Sequence, residues 1–384
     1  MAASTLTEVA RLAGVSPATA SRVLNGSARK PGQDIADRVR QAADSLGYIP
    51  NAQAQGLAKS SSGLIGLIVH DIADPYFAAI ARGVQEAARE QRKMVLLATT
   101  GGAPAEEKEA VAAFAARRAD SIVIAGSRSA QPENQEGNAE LAAELDRYCG
   151  NGGKVAVVGH PVVGAKAPDG YYVVAVPNQE LAAALAGELA SGWGGDFVII
   201  GGPDGLFTSD DRIRGFQEGL AAAGREPADI LRTTFNRAGG YEAGVKLAGL
   251  IKARQAADGN EPEGRKLCIF AVNDVMAIGA AAALRSEGLR IPRDAIIAGF
   301  DDIETLRDFR PALSTVRLPL EEIGRLATRA TAPGTAADGE ALDGAASGAL
   351  GSSGTDTGTA RAGSGAPRPI TGEVTLRRST EPAA

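Results

Sequence analysis

Short apolar segments alternate with helical segments from residue 64 to about residue 300, and this alternation restricts the possible folds most strongly. The segments are rich in Val, Ile and Leu, and helical spacing fills the stretches between them. Apolar strands that alternate with helices predict parallel sheets covered by helices. The more than 300 residues that follow residue 63 are too many for one such sheet, so we expect two lobes. The predicted strands are Leu64–Val69, Met94–Thr99, Ser121–Ala125, Lys154–Val158, Tyr171–Val176, Phe197–Ile200, Leu267–Val272 and Ala295–Ala298.

Residues 1–50 show a different pattern, that of three short helices. The first begins at the hydroxyl of Thr5 and ends at Gly14, and the second begins at Ser16-Pro17, a capping residue followed by proline at the first helical position. The third helix ends at Gly47. Two helices joined by a tight turn, with a third completing the core, predict a helix-turn-helix unit.

In such a unit the second helix enters the DNA major groove. Pro17 and Ala18 would make apolar contacts there, and Arg22 would bond the O6 and N7 atoms of guanine. The alternative is that Ser16 only caps the helix and Arg22 only lies on the surface of a generic helical bundle. The predicted DNA-binding residues of this unit, including those with short polar side chains that suit phosphate oxygens, are Thr5, Ser16, Pro17, Ala18, Thr19, Ser21, Arg22 and Asn25.

The charge of the chain is unevenly distributed. The whole chain has 40 basic and 46 acidic side chains, a net charge of −6. Residues 1–60 have seven basic and four acidic side chains, a net of +3, so the remaining 324 residues have a net of −9. The overall acidity argues against nucleic-acid binding by the whole surface, but it permits one basic DNA-binding module.

The composition argues against several other classes of protein. Two cysteines and two histidines are too few for a disulfide framework, a thiolate metal site or a histidine-based zinc centre. There is no phosphate-binding loop, nucleotide-binding glycine pattern or nucleophile–base pair, so we expect no enzyme, no cofactor and no metal. No apolar run approaches the ~20 residues of a membrane span and no secretory signal is present. We therefore expect a cytoplasmic, nucleoid-associated protein.

The string from Thr5 to Gly26, TLTEVARLAGVSPATASRVLNG, resembles the signature of the LacI/GalR family of bacterial transcription regulators, and LGYIPN at residues 46–51 resembles the end of its headpiece. The resemblance implies an all-α helix-turn-helix headpiece, followed by an α/β effector domain of two doubly wound lobes similar to periplasmic binding proteins. In that family the chain crosses between the lobes three times and the ligand lies in the cleft between them.

The resemblance also implies the domain boundaries. It gives a headpiece at 1–50, a hinge helix at 51–62, and an effector and dimerisation domain at 63–330 and 368–384. Residues 331–367 are mostly Gly, Ala, Ser, Thr and Pro, a composition that predicts a disordered insertion. Leu57 matches the leucine that the family inserts into the minor groove from its hinge. A plain flexible linker is the alternative, because Gln55 replaces the usual arginine and Gly56 disfavours a helix.

Effector contacts are likewise implied by family motifs that follow strand ends, where ligands bind in such sheets. For the aromatic residues the alternative is ordinary core packing, and for the arginine it is a surface ion pair with Asp210. For the acid in Asn273-Asp274, the alternative is helix capping. The implied effector-binding residues are Asp71, Tyr76, Phe77, Thr208, Arg212, Phe235, Asp274 and Asp301.

Together these features predict a sequence-specific DNA-binding regulator, most simply a repressor that binds a pseudo-palindromic operator as a homodimer or a dimer of dimers. A small effector, a sugar or sugar derivative, would change the angle between the lobes and thereby the affinity for the operator. A purine-type co-repressor is an alternative effector. A sugar-binding transport component is an alternative function, although the basic N-terminus and the missing signal peptide oppose it.

Overall fold

The computed structural model describes residues 4–25, 31–49, 61–257, 266–332 and 369–381. The chain divides into two compact units, Met1–Leu64 with Arg117–Asp120 and Ile65–Ala116 with Ser121–Ala384. The predicted hinge residue Leu57 and nearly all of the predicted insertion at 331–367 lie outside the described residues. The residues of the first and second units are described separately below.

The first unit contains the three helices that the sequence predicts. They are α1 (Leu6–Ala13), α2 (Pro17–Asn25) and α3 (Gln33–Ser45). Their apolar faces meet in a small core because residues with helical spacing turn to one side of each helix. That core consists of Val9, Ala10, Ala13, Ala20, Val39, Ala42 and Ala43.

The second unit contains two sheets, and the first sheet has the strand order β2-β1-β3-β4-β5. Strands β1, β3, β4 and β5 pair in parallel, as expected for buried apolar strands joined by helices. We call this sheet and its helices the first lobe. Its strands are β1 (Leu64–Val69), β2 (Met94–Thr99), β3 (Ser121–Ala125), β4 (Lys154–Val158) and β5 (Tyr171–Val174). Its helices are α4 (Pro75–Glu90), α5 (Pro104–Ala116) and α6 (Gln135–Gly150).

The second sheet has four parallel strands in the order β7-β6-β8-β9, and we call it and its helices the second lobe. Its α7 and α8 pack so closely that a Cβ added at Gly215 would overlap the carbonyl oxygen of Gln179. The strands are β6 (Asp196–Gly201), β7 (Asp229–Arg232), β8 (Leu267–Ala271) and β9 (Ala295–Ala298). The helices are α7 (Asn178–Gly192), α8 (Phe207–Ala222), α9 (Arg237–Ala257) and α10 (Asp274–Ser286).

Three connections join the lobes, as the resemblance implies. The first follows β5, which ends at Val174 rather than Val176 because the chain then leaves the sheet to enter α7. The second includes β10 (Thr315–Arg317) and leads to α11 (Leu320–Ala330), which packs against α4 of the first lobe. The third includes β11 (Glu373–Thr375), which pairs antiparallel with β10.

β7 and β10 are not among the strands predicted with bounds. β7 is mostly exposed at the edge of its sheet and β10 has three residues, so neither forms a long apolar run. Within the described ranges, no helix has the length and apolar character needed to span a membrane. The same ranges contain no cluster of three or more His, Cys, Asp or Glu residues that could hold a metal ion.

Candidate functional site

Capping interactions define both ends of α1. The Thr5 amide donates to Glu8 Oε2 at 2.7 Å and the Glu8 amide donates to Thr5 Oγ1 at 3.3 Å, which forms a capping box. The hydrogen bond from the Thr5 amide lowers the pKa of Glu8. Gly14 ends the helix with φ at +65°, a conformation that glycine adopts without strain. The turn that leads to α2 therefore begins at Gly14.

The first turn of α2 presents its side chains to solvent. Ser16 caps the helix, since its Oγ accepts a hydrogen bond from the Thr19 amide at 3.2 Å. Ser16, Pro17, Ala18 and Arg22 are exposed, whereas Ala20 alone is buried in the core of the unit. Of the other predicted DNA-binding residues, Thr5 is exposed, Thr19, Ser21 and Asn25 are half-buried, and Asn25 Nδ2 donates to Ser21 Oγ at 3.0 Å.

A buried cluster around Arg212 forms the centre of the predicted effector site. Arg212, on α8, is 2 % exposed. Its guanidinium lies 3.9 Å from the centre of the Phe300 ring. It donates three hydrogen bonds, from Nη2 to Asp301 Oδ1 at 2.9 Å, from Nε to Asn178 Oδ1 at 2.9 Å, and from Nη1 to the Val272 carbonyl oxygen at 2.7 Å. The alternative surface pair with Asp210 does not form, because Asp210 instead pairs with Arg232 at 2.6 Å.

Asp301 is the counter-charge of Arg212, and its environment perturbs its titration. Burial raises the pKa of Asp301 to about 7, against the opposing effect of the Arg212 charge. Its backbone φ of +118° is outside the range that side chains other than glycine usually adopt. A strained, buried acid with a perturbed pKa is typical of functional sites.

Asp274 lies next to this pair, and both of its carboxylate oxygens accept hydrogen bonds from other residues. Its Oδ1 accepts from the Thr315 hydroxyl at 2.7 Å and its Oδ2 accepts from the Ile303 amide at 2.9 Å. Burial, followed by the nearby charge of Asp301, raises its pKa well above the ordinary value. Helix capping belongs to Asn273, whose Oδ1 accepts from the Met276 amide at 2.8 Å. Asp274 therefore joins the segment after β9 to β10, on the second connection between the lobes.

The aromatic residues differ in their surroundings. Tyr76 lies at the start of α4, where burial and then the charge of Asp301 raise its pKa. Tyr76 thus brings an aromatic ring of the first lobe near the Arg212–Asp301 pair. Phe77 is buried in the core, in an edge-on contact with Tyr76 at 5.1 Å between ring centres. Phe235 is half-buried and packs against the core and close to Gly202.

Two predicted effector-binding residues, Asp71 and Thr208, form hydrogen bonds outside the Arg212 cluster. Asp71 is exposed, and its Oδ1 accepts from the Ala73 amide at 2.8 Å within its own loop. Thr208 lies at the start of α8, where its amide donates to Ser127 Oγ of the first lobe at 3.3 Å. Thr208 is therefore at a contact between the two lobes, together with His160, whose Nε2 lies 2.7 Å from Asp211 Oδ2 on α8.

The predicted site residues do not include two partners of the Arg212 cluster, Asn178 and Phe300, or a buried acid elsewhere in the first lobe, Glu107. Asn178 and Phe300 contact Arg212 across long sequence separations, and no local pattern indicates those contacts. A signal did exist for Glu107, because it lies on the same helical face as the buried Val111 and Phe114, at i+4 and i+7. Glu107 is fully buried and forms an ion pair with Arg128.

The arrangement suits recognition of a polar molecule. Arg212 has N–H groups that its three hydrogen bonds within the protein do not use, and Asp301 has a carboxylate oxygen that does not accept from Arg212. Tyr76 adds an aromatic ring with a hydroxyl group. Because the charges of Arg212 and Asp301 compensate each other, these groups offer paired donors and acceptors, which hydroxyl groups can match.

Comparison with known sequences identifies two families. Residues 5–51 match bacterial regulatory proteins of the lacI family, and residues 195–341 match the periplasmic binding protein-like domain. The HTH-type transcriptional regulator GalS of Salmonella typhimurium is 30 % identical over 334 residues, which cover 86 % of this chain and 90 % of GalS. The ribose operon repressor of Halalkalibacterium halodurans is 32 % identical over 85 % of this chain and 88 % of that protein.

Solved structures agree with the fold. The lac repressor dimer bound to operator and the anti-inducer ONPF superimposes with a TM-score of 0.68 at 21 % identity, over 86 % of this chain and 92 % of that one. The transcriptional regulator CelR in complex with cellobiose gives a TM-score of 0.55 at 25 % identity, over 85 % and 91 % of the two chains.

Proposed function

The chain belongs to the lacI family of bacterial regulatory proteins, and from this premise we propose that it is a transcriptional repressor whose affinity for operator DNA is controlled by a sugar. One observation carries the proposal: a helix-turn-helix unit with an exposed α2 is joined in one chain to a two-lobed domain of the binding-protein type. The proposed site of action is the nucleoid.

The exposed first turn of α2 supports the DNA-binding role. Arg22 is exposed on a helix that is held by capping interactions, and guanine recognition by arginine needs such a fixed approach. Pro17 and Ala18 would lie against base edges, while Thr5, Ser16, Thr19, Ser21 and Asn25 would bond phosphate or sugar oxygens. Leu57 remains a predicted minor-groove residue of the hinge.

The Arg212 cluster supports the effector role. We propose that Arg212, Asp301 and the Tyr76 hydroxyl bond adjacent hydroxyl groups of the effector, and that Asp274 holds the connection between the lobes behind them. A sugar is favoured over a purine because the compensated charges suit hydroxyl groups. Among the similar proteins, one is named a ribose operon repressor and the structure of another, CelR, is a complex with cellobiose.

A homodimer is the proposed assembly. Each sheet has a free edge strand with exposed apolar side chains, Met94 (70 % exposed) and Leu97 on β2 and Ile230 on β7. Exposed apolar edge strands are unfavourable in water and are commonly covered by a partner. Two copies would also present two α2 helices to two half-sites of a pseudo-palindromic operator.

The proposal is tested by selecting bound sequences from random duplex DNA and measuring their affinity by gel shift. We expect a two-fold-symmetric site. Arg22→Ala should reduce discrimination at one base position of each half-site by about 1–3 kcal/mol. Arg40→Ala, a matched loss of one exposed positive charge on α3, should weaken all sequences alike. If the purified protein selects no sequence, with or without sugars, the proposed function is wrong.

Effector binding is tested by thermal shift with ribose, galactose, cellobiose and a purine base as probes. A bound probe raises the melting temperature, because it binds only the folded state. Arg212→Lys, which retains the charge but not the planar set of donors, should abolish the shift for the active probe. A shift with the purine alone would favour the co-repressor alternative.

A further inference from the structure

The loop between β3 and α6, residues 126–131, carries contacts between the lobes, and we call it the interlobe loop. Because these contacts are mostly between backbone atoms, the loop must keep its shape for them to form. Three hydrogen bonds cross here: the Phe207 amide to the Arg128 carbonyl at 2.9 Å, the Ala130 amide to the Gly205 carbonyl at 3.0 Å, and the Thr208 amide to Ser127 Oγ at 3.3 Å.

Arg128 contacts the two lobes with different parts of the same residue. Its carbonyl oxygen accepts from the second lobe, whereas its side chain is buried within the first lobe and pairs with Glu107 of α5. Burial acts to raise the pKa of Glu107, but the Arg128 charge lowers it below its ordinary value. The pair is therefore ionised and ties the interlobe loop to α5.

Stability alone does not explain this buried pair. Within the described part of the chain, Arg128 Nε and Nη2 and Glu107 Oε1 are buried and make no hydrogen bond. A buried ion pair that lacks its full set of hydrogen bonds is often no more stable than apolar side chains of similar volume. These unpaired atoms are compatible with a pair that serves the geometry of the loop to which Arg128 belongs.

Glu107 Oε1, the carboxylate oxygen that does not contact Arg128, faces the loop that follows β1. Glu107 Oε1 lies 3.6 Å from His70 Nε2, and His70 immediately follows β1. The imidazole fits because Gly126 lacks a side chain: a Cβ added there would overlap the ring. From His70 the chain continues into the segment with Tyr76, which the proposed effector would contact.

We propose that Glu107 is a positioning residue for the interlobe loop: one carboxylate oxygen holds the Arg128 side chain, and the other faces His70 of the loop after β1 at 3.6 Å without a hydrogen bond. Neutralising Glu107 removes the charge attraction that holds Arg128, and the backbone bonds between the lobes then open more often. The inference rests on the proposed function only where it assigns a purpose to these contacts, because motion of the lobes is the proposed way in which effector binding changes DNA affinity.

Amide hydrogen exchange of the full chain measures these bonds directly, without effector or operator. In Glu107→Gln, the Phe207 and Ala130 amides should exchange at least about tenfold faster, while the core amides of Ile124 and Ile199 keep their rates. Glu106→Gln, on the exposed face of the same helix, is the matched control and should change neither pair.

A double variant, Glu107→Met with Arg128→Met, separates positioning from stability. Apolar replacement of both partners should preserve folding, so it also serves if Glu107→Gln does not fold. Fast exchange at Phe207 and Ala130 with slow exchange at Ile124 and Ile199 supports the proposal. Slow exchange at Phe207 and Ala130 in the double variant, or equal acceleration of all four amides in Glu107→Gln, overturns it. Neither result bears on whether the protein binds DNA.

Discussion

Replacing Arg212 by methionine should destabilise the protein by an amount that increases with pH. Methionine keeps much of the volume of arginine but removes the hydrogen bonds to Asn178 and Val272 and the counter-charge of Asp301. The lost hydrogen bonds leave buried acceptors unpaired, which costs about 1–3 kcal/mol at any pH. The lost charge adds a cost that depends on the protonation of Asp301.

The pH-dependent part follows from the pKa of Asp301, which burial raises from the ordinary 3.8 to about 7. Asp301 of the folded protein therefore retains a proton that the unfolded chain releases, so the contribution of Asp301 to stability falls as pH rises from 3.8 to about 7 and then becomes constant. Without Arg212 the pKa of Asp301 is higher still, and stability continues to fall above pH 7. At about 1.4 kcal/mol per pH unit, the extra loss is about 2 kcal/mol at about pH 8.5.

Urea unfolding measures this loss, followed by the fluorescence of Trp193, the single tryptophan, at the end of α7. Arg212→Met is compared with wild type at about pH 6 and about pH 8.5, and Arg214→Met, an exposed arginine on the same helix, is the control. In an Asp301→Asn background the pH-dependent increment should vanish, because the amide carries no charge. Equal destabilisation at both pH values, or an increment that persists in that background, would refute the electrostatic account.

Three further results are expected from urea unfolding of single variants. Gly215→Ala should destabilise the second lobe by about 1–3 kcal/mol, because the added Cβ overlaps the backbone of α7. Gly187→Ala, with open space around it, should stabilise the protein by about 0.5–1 kcal/mol. Equal effects of the two variants would contradict the close packing of α8 on α7. Asn273→Ala removes the cap of α10 and should cost about 1–2 kcal/mol, and an unchanged midpoint would contradict the capping role. Burial acts to raise the pKa of Asp302, but hydrogen bonds from two arginines outweigh burial and lower that pKa below the ordinary 3.8. Asp302→Asn should therefore destabilise the protein at neutral pH and lose this effect as pH falls below 3.8. A destabilisation that persists in acid would contradict the ion pairing.

Local pattern was sufficient where a structural feature depends on neighbouring residues. The cap at Thr5, the glycine that ends α1 and the buried strands β1, β3 and β4 follow from residue types at short spacing, and the structure contains each of them. Short edge strands such as β7 gave no such signal, because half-exposed residues do not form an apolar run.

The site was predictable only in part. The family motif indicated Arg212 and Asp301, and the structure brings these two together, whereas the alternative pair of Arg212 with Asp210 does not form. The pairing depends on which strand ends meet at one sheet edge, and local spacing contains no such information. For the same reason local spacing could not show that Phe77 and Phe235 pack against the core.

The amino-acid sequence was enough to establish the helical head, the alternation of strands and helices and the uneven charge, since these depend on propensity, periodicity and composition. Which charges neutralise one another was set by tertiary packing. Arg212 meets Asp301 across 89 positions and Glu107 meets Arg128 across 21, and both pairs are buried. Burial strengthens the interaction within both ion pairs, because charges interact strongly only when folding has removed them from water.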